Sequence, residues 1–324
     1  MLSPKNCPEN TYSFPHIPHN VLLIKRIKSN NVTAISCVLS LWLTEQYDCK
    51  VFVEKEALGD FDAMGCHVNR PWQQEKIDLV ISLGGDGTTL WASSLFDDRP
   101  VPPIMGVTLG SLSYINQFSA DELLTTLAHL FESKQCNVQM RSRLFITIYG
   151  HEADALYYGH CVNECTIDRG PAANMANLDI YINNRFFTSM SADGLIIATP
   201  TGSTAYSMSA GGAVVHPGVS CILFTPICPH SLSMRPLVLP ADVEIRIKVP
   251  DDARQSVWLS LDGHEKHEVL PGHHVVAAVS ANPMPRKLNT NINIDICTDS
   301  YSPCRMQTRR SMAGEPYGQS SLGA

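Results

Sequence analysis

The sequence lacks any long apolar run. No window approaches the roughly 18 consecutive apolar residues that a membrane-spanning helix needs. Residues 1–20 are polar and contain several prolines, and they have neither the apolar core of a secretory signal nor an arginine-rich amphipathic stretch. We therefore expect a cytoplasmic protein with no membrane partner.

Basic residues are also in deficit. The chain has 24 lysines and arginines against 31 aspartates and glutamates, which gives a net charge of -7. Domains that bind nucleic acid usually carry a basic surface instead. The balance predicts no nucleic-acid partner, and an anionic substrate would have to be held by a local site.

The cysteine and histidine patterns argue against a disulfide-stabilised protein and against a zinc enzyme of the HExxH type. The 11 cysteines are an odd number scattered through apolar runs, which favours reduced thiols in a core over a disulfide framework. In HEKHE, residues 264–268, the histidines are three positions apart, whereas the zinc-binding HExxH pattern needs four. We expect no protein-bound metal centre of this kind.

After the predicted N-terminal extension at 1–20, the 324-residue chain shows two successive patterns of apolar residues. Across 21–140, short apolar runs such as VLLIK and IDLVISL alternate with helical patterns, which predicts an α/β domain with a parallel sheet. Ser119 and Glu122 have capping-box spacing before a helix. One face of that helix is predicted to carry Leu123, Leu124, Leu127, Leu130 and Phe131.

From 141 to 285 the pattern is short β-branched and aromatic segments separated by turn residues. Segments such as RLFITIYG, LDIYI and SVWLSL are typical of an all-β, β-sandwich-like domain. Residues 286–324 are polar and weakly patterned, so we expect a poorly ordered tail.

The stretch LGGDGTT joins an apolar strand to a helix and has glycines around an acid. The backbone N–H groups of such a turn, together with the helix N-terminus, can bind phosphate oxygens. It matches neither the P-loop nor GxGxxG. Because an ordinary aspartate is ionised at neutral pH, Asp86 could accept a proton from a hydroxyl or bind Mg²⁺; alternatively, the turn is only a reversal whose acid caps the helix.

A second constellation is DGLIIATPTGSTAYSMSAGG, residues 193–212. Hydroxyls alternate with glycines and small apolar residues, a composition suited to a nucleoside pocket. On composition alone, a serine- and threonine-rich loop is the more frequent explanation. A serine hydrolase is not indicated, because GxSxG is absent here.

The third constellation is Asn163-Glu164, which follows a strand-like run. An amide beside a carboxylate can bind a base edge and ribose hydroxyls together. Such a pair at a strand end is also ordinary turn chemistry, so alone it decides nothing.

Taken in order, LGGDGTTLWASSLF, VNECTIDRG, DGLIIATPTGSTAYSMSAGG and TPICPHSLSMRPLVLP resemble the NAD kinase family, and its eukaryotic members in particular. The resemblance spans residues 21–285. It implies the NAD kinase fold and transfer of a phosphoryl group from ATP, with Mg²⁺, to the 2′-hydroxyl of the adenosine ribose of NAD, with NADH as an alternative acceptor. It also implies a homodimer or homotetramer in which part of the NAD site lies at a subunit interface.

The resemblance implies a role for each matched residue. Asp86 would be the catalytic base, and Gly84, Gly85, Gly87 and Thr88 would form the phosphate-binding turn. NAD would be held by Asn163 and Glu164, by Asp193, and by Thr204, Ala205, Tyr206, Ser207, Met208 and Ser209. His264, after Leu261-Asp262-Gly263, falls where the family often has a polar ligand-binding residue.

Two alternatives stay open at this point. Lipid kinases of the diacylglycerol kinase type carry a similar glycine-acid turn. A catalytically impaired dinucleotide-binding paralogue is the other, because the family normally has Gly and Phe where this chain has Ser113 and Tyr114, and a different sequence after Pro285.

Overall fold

The computed structural model describes residues 10–97, 99–110, 113–152, 154–231, 233–264 and 266–289. The tail predicted from residue 286 therefore lies mostly outside the described residues. Of the helices in these ranges, none combines the length and apolar character that crossing a bilayer requires.

Within the described residues, the first half contains four α-helices and eight strands. The helices are α1 (Asn30–Tyr47), α2 (Leu58–Ala63), α3 (Asp86–Ser94) and α4 (Leu123–Ser133). The strands are β1 (Asn10–Ser13), β2 (Asn20–Lys25), β3 (Lys50–Val53), β4 (Arg70–Pro71), β5 (Leu79–Leu83), β6 (Ile104–Thr108), β7 (Phe118–Ser119) and β8 (Gln135–Arg141).

In the part of the second half that the structure describes, there are a further α-helix and thirteen strands. The helix is α5 (Tyr206–Ser209). The strands are β9 (Leu144–Tyr149), β10 (Ala155–Cys161), β11 (Glu164–Asp168), β12 (Ala176–Ile182), β13 (Arg185–Ala192), β14 (Gly194–Ala198), β15 (Cys221–Ile227), β16 (Leu237–Pro240), β17 (Ile245–Lys248), β18 (Val257–Leu261), β19 (Lys266–Val269), β20 (His274–Val279) and β21 (Met284–Lys287).

The sheet of the first half is parallel at its centre, as the apolar runs predict. Its order is β1-β8-β21-β6-β5-β2-β3-β4, with β7 also paired to β6. Strands β6, β5, β2, β3 and β4 run parallel, whereas β8 is antiparallel to both β1 and β21. β2 and β5 are almost wholly buried because the crossover connections cover both faces of the sheet.

Strands from both ends of the chain complete this sheet. β1 lies within the segment predicted as an extension and pairs with β8. β21 returns from the second half and brings Arg286 and Lys287 into the sheet, so these first residues of the predicted tail are part of a buried strand.

The capping box predicted for α4 is wrong. Ser119 lies in β7, paired with Thr108, and α4 begins only at Leu123, so Ser119 is too far from the helix to be its N-cap residue. Glu122 is the N-cap residue instead, without a side-chain cap hydrogen bond. The buried face consists of Leu123, Leu127, Leu130 and Phe131, while Leu124 is rotated off it and 38% exposed.

The second half is a sandwich of two six-stranded antiparallel sheets, as predicted. One sheet has the order β10-β9-β20-β17-β12-β13 and the other β16-β15-β14-β11-β18-β19. Residues of both sheets, including Ile146, Ile167 and Ile247, share one buried cluster. In the second sheet, β11 lies between β14 and β18 and is antiparallel to both. The start of β11 therefore lies beside the ends of its two neighbours.

Candidate active site

The glycine-acid turn follows β5 and opens α3. Gly85 is the extended N-cap residue, and Asp86 is the first residue of the helix. A Cβ on Gly84 would lie 2.3 Å from Thr88 Oγ1, so the missing side chain lets Thr88 fold back over the turn. Gly85 and Gly87 are exposed, which leaves the N-terminal backbone of α3 accessible to an anion.

The carboxylate of Asp86 does not cap α3 but binds the loop before β7. It accepts hydrogen bonds from the backbone N–H groups of Tyr114 (2.9 Å), Ile115 (2.8 Å) and Asn116 (3.3 Å). The Ser113 hydroxyl also donates to it. Asp86 therefore fixes this loop beside the turn.

A buried polar network also holds the loop at 113–116 in place. The Thr89 hydroxyl donates to Asn116 Oδ1 (2.6 Å) and lies 2.6 Å from Ser82 Oγ, while Asn116 Nδ2 donates to the Gly84 carbonyl (3.1 Å). Gly106 makes room, since a Cβ there would lie 2.0 Å from Asn116 Oδ1. Asn116 thus links the loop to both β5 and α3.

Asn163 and Glu164 lie between two loops of the second half. Glu164 pairs with Ala198 at the end of β14, which leads into the hydroxyl-rich segment 199–212. On its other side, Cys165 pairs with Leu261 at the end of β18, which leads into the turn 261–264. The antiparallel register therefore gathers three of the sequence segments at one end of this sheet.

Asp262 holds the Asn163-Glu164 segment in place. Its carboxylate accepts the backbone N–H groups of Val162 (2.8 Å), Asn163 (2.8 Å) and Glu164 (3.0 Å). Asp262 and Gly263 both have positive φ, 48° and 74°, as the two central residues of a type I′ turn require, and the His264 N–H donates to the Leu261 carbonyl (2.9 Å). Burial raises the pKa of Asp262, and the three N–H groups oppose that rise.

Glu164 has a different environment from Asp262. It is 8% exposed, and its Oε2 has no hydrogen-bond partner within the described part of the chain. Burial, followed by the charge of Asp262, raises the pKa of Glu164 to about 7, against a smaller opposing effect of the Tyr206 backbone N–H. This carboxyl group can therefore donate or accept a hydrogen bond near neutral pH.

The hydroxyl-rich segment divides into buried anchors and exposed groups. Gly202 packs on the backbone of Asn163, where a Cβ would lie 2.1 Å from the carbonyl oxygen, and Thr199 Oγ1 donates to the Val162 carbonyl (2.5 Å). Ser207 is buried with its Oγ 2.9 Å from Thr225 Oγ1. Exposed or half-buried positions are Thr204, Ala205, Tyr206, Met208 and Ser209.

Arg141 joins the loop held by Asp86 to this segment. Its guanidinium lies 5.6 Å from the centre of the Tyr114 ring and donates to Thr201 Oγ1 (3.3 Å). Arg141 is 2% exposed. The structure thus brings the glycine-acid turn, the loop at 113–116 and the hydroxyl-rich segment into one connected region.

Two predicted residues lie at the edges of that region. Asp193, before β14, forms an exposed ion pair with Arg169 (2.9 Å). His264 packs its ring against Trp91 of α3, with 5.4 Å between ring centres. His264, Trp91 and Asp262 line a cavity of about 160 Å³ on the flank of α3, whereas Asp193 does not contribute to it.

Sequence reasoning missed three residues that organise the site. Asp262 could have been found from its Asp-Gly hairpin signal, but nothing local indicates which backbone its carboxylate binds. Asn116 and Arg141 carry no motif at all. The hydrogen-bond partners of their side chains lie 27 residues away or more in the sequence, so only the folded topology identifies them.

Comparisons with known proteins agree across both halves. Residues 22–135 match the ATP-NAD kinase N-terminal domain, and residues 162–286 match the ATP-NAD kinase C-terminal domain. NADH kinase pos5, mitochondrial, from Schizosaccharomyces pombe is 34% identical over 299 residues, covering 90% of this chain and 76% of that protein.

Two NAD kinase relatives from Oryza sativa subsp. japonica are 37% and 36% identical over 310 residues and cover 91% of this chain. The chain spans only 62% and 58% of their lengths. A crystal structure of yeast NADH kinase complexed with NADH superposes with a TM-score of 0.78 at 29% identity, covering 87% of this chain and 89% of that one. An Archaeoglobus fulgidus NAD kinase in complex with ATP, at 20% identity and a TM-score of 0.61, shares the fold.

Proposed function

The chain belongs to the NAD kinase family, and on that premise we propose that it transfers a phosphoryl group from ATP to the 2′-hydroxyl of the adenosine ribose of NAD or NADH. The observation that carries this proposal is the connected region around Asp86. The glycine-acid turn, the loop at 113–116 and the hydroxyl-rich segment meet there through Tyr114, Arg141 and Thr201. The matched relatives include kinases named for NAD and for NADH. A lipid kinase finds no support in these comparisons.

In the proposed reaction, the ribose 2′-oxygen forms a bond to the γ-phosphorus of ATP. The bond from that phosphorus to the bridging oxygen breaks, and ADP leaves with the electron pair. The hydroxyl proton passes to the Asp86 carboxylate. Because phosphoryl transfer needs little covalent help, most of the catalysis comes from positioning and charge.

Asp86 can accept this proton while it keeps its hydrogen bonds to the loop at 113–116. Its Oδ1 accepts from Ser113, Ile115 and Asn116, whereas Oδ2 accepts from Tyr114 alone among the described residues. Each carboxylate oxygen has about two acceptor positions. A substrate hydroxyl can therefore donate to the second position of Oδ2.

The donor is Mg-ATP in this proposal, with Mg²⁺ arriving on the donor's phosphates. The exposed backbone of Gly85 and Gly87, with Thr88, would receive phosphate oxygens at the N-terminus of α3. In the described ranges no group of three or more His, Cys, Asp or Glu side chains could hold a metal ion.

The dinucleotide would lie along the hydroxyl-rich segment. Asn163 and Glu164 would bind its polar edges, and Thr204, Ala205, Tyr206, Met208 and Ser209 would provide the surface, with buried Ser207 anchoring α5. Glu164 Oε2 supports this assignment because a buried oxygen without a partner has a vacant hydrogen-bonding position for a ligand.

We also propose a homodimer or homotetramer in which Asp193 faces a ligand bound mainly by a second subunit. Asp193 is partly exposed and held by Arg169, so it is presented outward from the edge of the site. A cytosolic location is part of the same proposal. The eight cysteines of the described ranges are free thiols, consistent with a reducing compartment.

An NADP-forming assay tests the proposed function. The purified chain is incubated with Mg-ATP and NAD or NADH, and the phosphorylated product is detected with an NADP-specific dehydrogenase. Asp86→Asn should lower kcat by about 10²- to 10⁴-fold, the range typical of a lost general base. Asp121→Asn, an exposed and isosteric change before α4, is the matched control and should keep wild-type activity.

The outcomes separate the proposed enzyme from the binding-only alternative. Wild-type protein that binds NAD but forms no product would overturn the kinase activity and favour the impaired paralogue. Full activity in Asp86→Asn would show that another group accepts the proton. Its melting temperature must be measured too, because the Asn amide would face the Tyr114 and Ile115 N–H groups and loosen the loop.

A further inference from the structure

The cavity on the flank of α3 lies on the other side of Asn163-Glu164 from the hydroxyl-rich segment. The start of β11 has the end of β14 on one side and the end of β18 on the other. The hydroxyl-rich segment follows β14, whereas the turn carrying Asp262 and His264 follows β18. Hence the sheet order itself separates the proposed dinucleotide surface from the cavity.

The cavity wall combines aromatic rings with hydrogen-bonding groups. Its volume is about 160 Å³, close to the roughly 150 Å³ at which an apolar cavity accommodates benzene. The lining residues include Trp91, Ser94, Asp97, Tyr157, His160 and His264. Trp91 and His264 are in edge contact, and Trp91 remains 39% exposed. This composition suits a flat aromatic ligand with polar edges.

Asp97 is held as a hydrogen-bond acceptor at this wall. Its Oδ1 lies 3.1 Å from His160 Nδ1, and His160 Nε2 lies 2.9 Å from Ser280 Oγ. The Asp97 side chain is 31% exposed, while the His160 side chain is 5% exposed. The buried histidine orients the carboxylate and leaves other acceptor positions for an amino group on a ligand.

The distance from the glycine-acid turn fits the two ends of a nucleoside triphosphate. Trp91 and Ser94 lie five and eight residues after Asp86 on α3, which corresponds to about 7.5 to 12 Å along the helix axis. A nucleobase is separated from its γ-phosphate by a ribose and two further phosphates. The phosphates can therefore bind at the helix N-terminus while the base reaches the flank of the same helix.

We propose that this cavity binds the adenine base of the phosphoryl donor, with Trp91, Tyr157 and His264 supplying ring contacts and Asp97 accepting the exocyclic amino group. The proposal rests on the proposed function and assigns its donor side. In-line transfer requires the attacking and leaving oxygens on opposite sides of the phosphorus. Donor and acceptor on opposite flanks of Asn163-Glu164 would approach the transferred group from different sides, as that requirement demands.

Calorimetric titration of the full chain with Mg-ATP alone, without NAD, tests the proposal independently of turnover. Trp91→Ala and Tyr157→Ala should each weaken ATP binding about tenfold, as loss of a base-stacking ring typically does. Trp91→Phe should recover most of the affinity. Tyr158→Ala is the matched control: the adjacent tyrosine is 49% exposed, contacts Phe145 and should leave ATP binding unchanged.

A second comparison checks the edge of the base. GTP lacks the adenine amino group, so wild-type protein should bind ATP more tightly than GTP, and Asp97→Asn should reduce that preference. Unchanged ATP affinity in both Trp91→Ala and Tyr157→Ala, with normal melting temperatures, overturns the proposal. An increase in the KM for NAD with no change in the KM for ATP also overturns it, because the cavity would then belong to the acceptor site.

Failure of this proposal is distinguishable from failure of the proposed function. If the protein forms NADP while the cavity variants keep wild-type ATP affinity, only the cavity assignment fails. If ATP binding depends on Trp91 but no NADP forms, the kinase activity fails and the nucleotide site stands.

Discussion

Asp86 in the α/β half and Asp262 in the β half each accept hydrogen bonds from backbone N–H groups of three consecutive residues. Asp86 binds residues 114–116, and Asp262 binds residues 162–164. Each thereby fixes a loop at the candidate site. Three N–H groups donate to each carboxylate, so both residues anchor a stretch of backbone.

The two anchors differ in what else they face. Asp86 is half-buried at a helix N-terminus and also receives the Ser113 hydroxyl. Asp262 lies beside a second carboxyl group, and its charge is one cause of the raised pKa of Glu164. The same hydrogen-bonding arrangement therefore leaves Asp86 half-buried beside an accessible helix N-terminus in one half, whereas in the other half burial and the charge of Asp262 together raise the pKa of Glu164.

The largest effect should come from removing the buried anchor. Asp262→Ala leaves the N–H groups of Val162, Asn163 and Glu164 without their acceptor, at about 1 to 3 kcal/mol for each buried unsatisfied group. We expect the free energy of unfolding to fall by roughly 3 to 5 kcal/mol. Urea denaturation would measure it, and dinucleotide binding should weaken in parallel because the Asn163-Glu164 segment loosens.

Asp251→Ala provides the control for that experiment. Asp251 forms an exposed ion pair with Lys248 (2.6 Å), and exposed pairs contribute about 1 kcal/mol or less. If Asp262→Ala costs no more than Asp251→Ala, the carboxylate is not an anchor and the comparison with Asp86 is wrong.

The next effect concerns the pH dependence that Glu164 adds to stability. A pKa of about 7 in the folded state lies above the ordinary glutamate value of about 4.3. The folded protein therefore binds an extra proton between these values, and this contribution to stability is full at low pH and lost as the pH rises to 7. Gln at position 164 cannot ionise. The free energy of unfolding of Glu164→Gln should therefore rise relative to that of wild type across this pH window, by up to roughly 3 kcal/mol.

Unfolding free energies of both proteins at pH 5, 6, 7 and 8 would show the difference. The curves should diverge as the pH rises, with Glu164→Gln relatively more stable at pH 8 than at pH 5. Parallel curves would mean that the native environment does not disfavour the charged form of Glu164.

The parts of the fold that the sequence predicts are those with local signals. Short, mostly apolar segments such as Leu79–Leu83 predict buried strands, and turn residues separate the strands of the sandwich. The helix cap at Ser119 was wrong because strand pairing, which is not local, overrode a short pattern. The sequence does not predict β21, because its charged residues Arg286 and Lys287 resemble the polar segment that follows them.

The burial of β21 has a physical explanation that only the structure reveals. Arg286 is 1% exposed, and its guanidinium donates to the carbonyls of Tyr114 (3.4 Å) and Ile115 (3.1 Å). The N–H groups of the same two residues donate to Asp86. The motifs predict candidate site residues, whereas Asn116, Arg141 and Arg286, which hold the loop at 113–116 in place, come from distant positions without a motif.

The smallest effect should come from the contact that distinguishes Asp86 from Asp262. Ser113→Ala removes one hydroxyl donor from Asp86 but keeps the three backbone N–H bonds, so the loop should stay in place. We expect a loss of about 1 kcal/mol in the free energy of unfolding and a change of less than tenfold in kcat, with the KM for NAD unchanged. Steady-state kinetics and urea denaturation, with Ser231→Ala on the exposed surface as control, would measure both. Loss of activity as large as in Asp86→Asn would mean that the hydroxyl, rather than the backbone, holds the carboxylate, and the two anchors would then differ in kind.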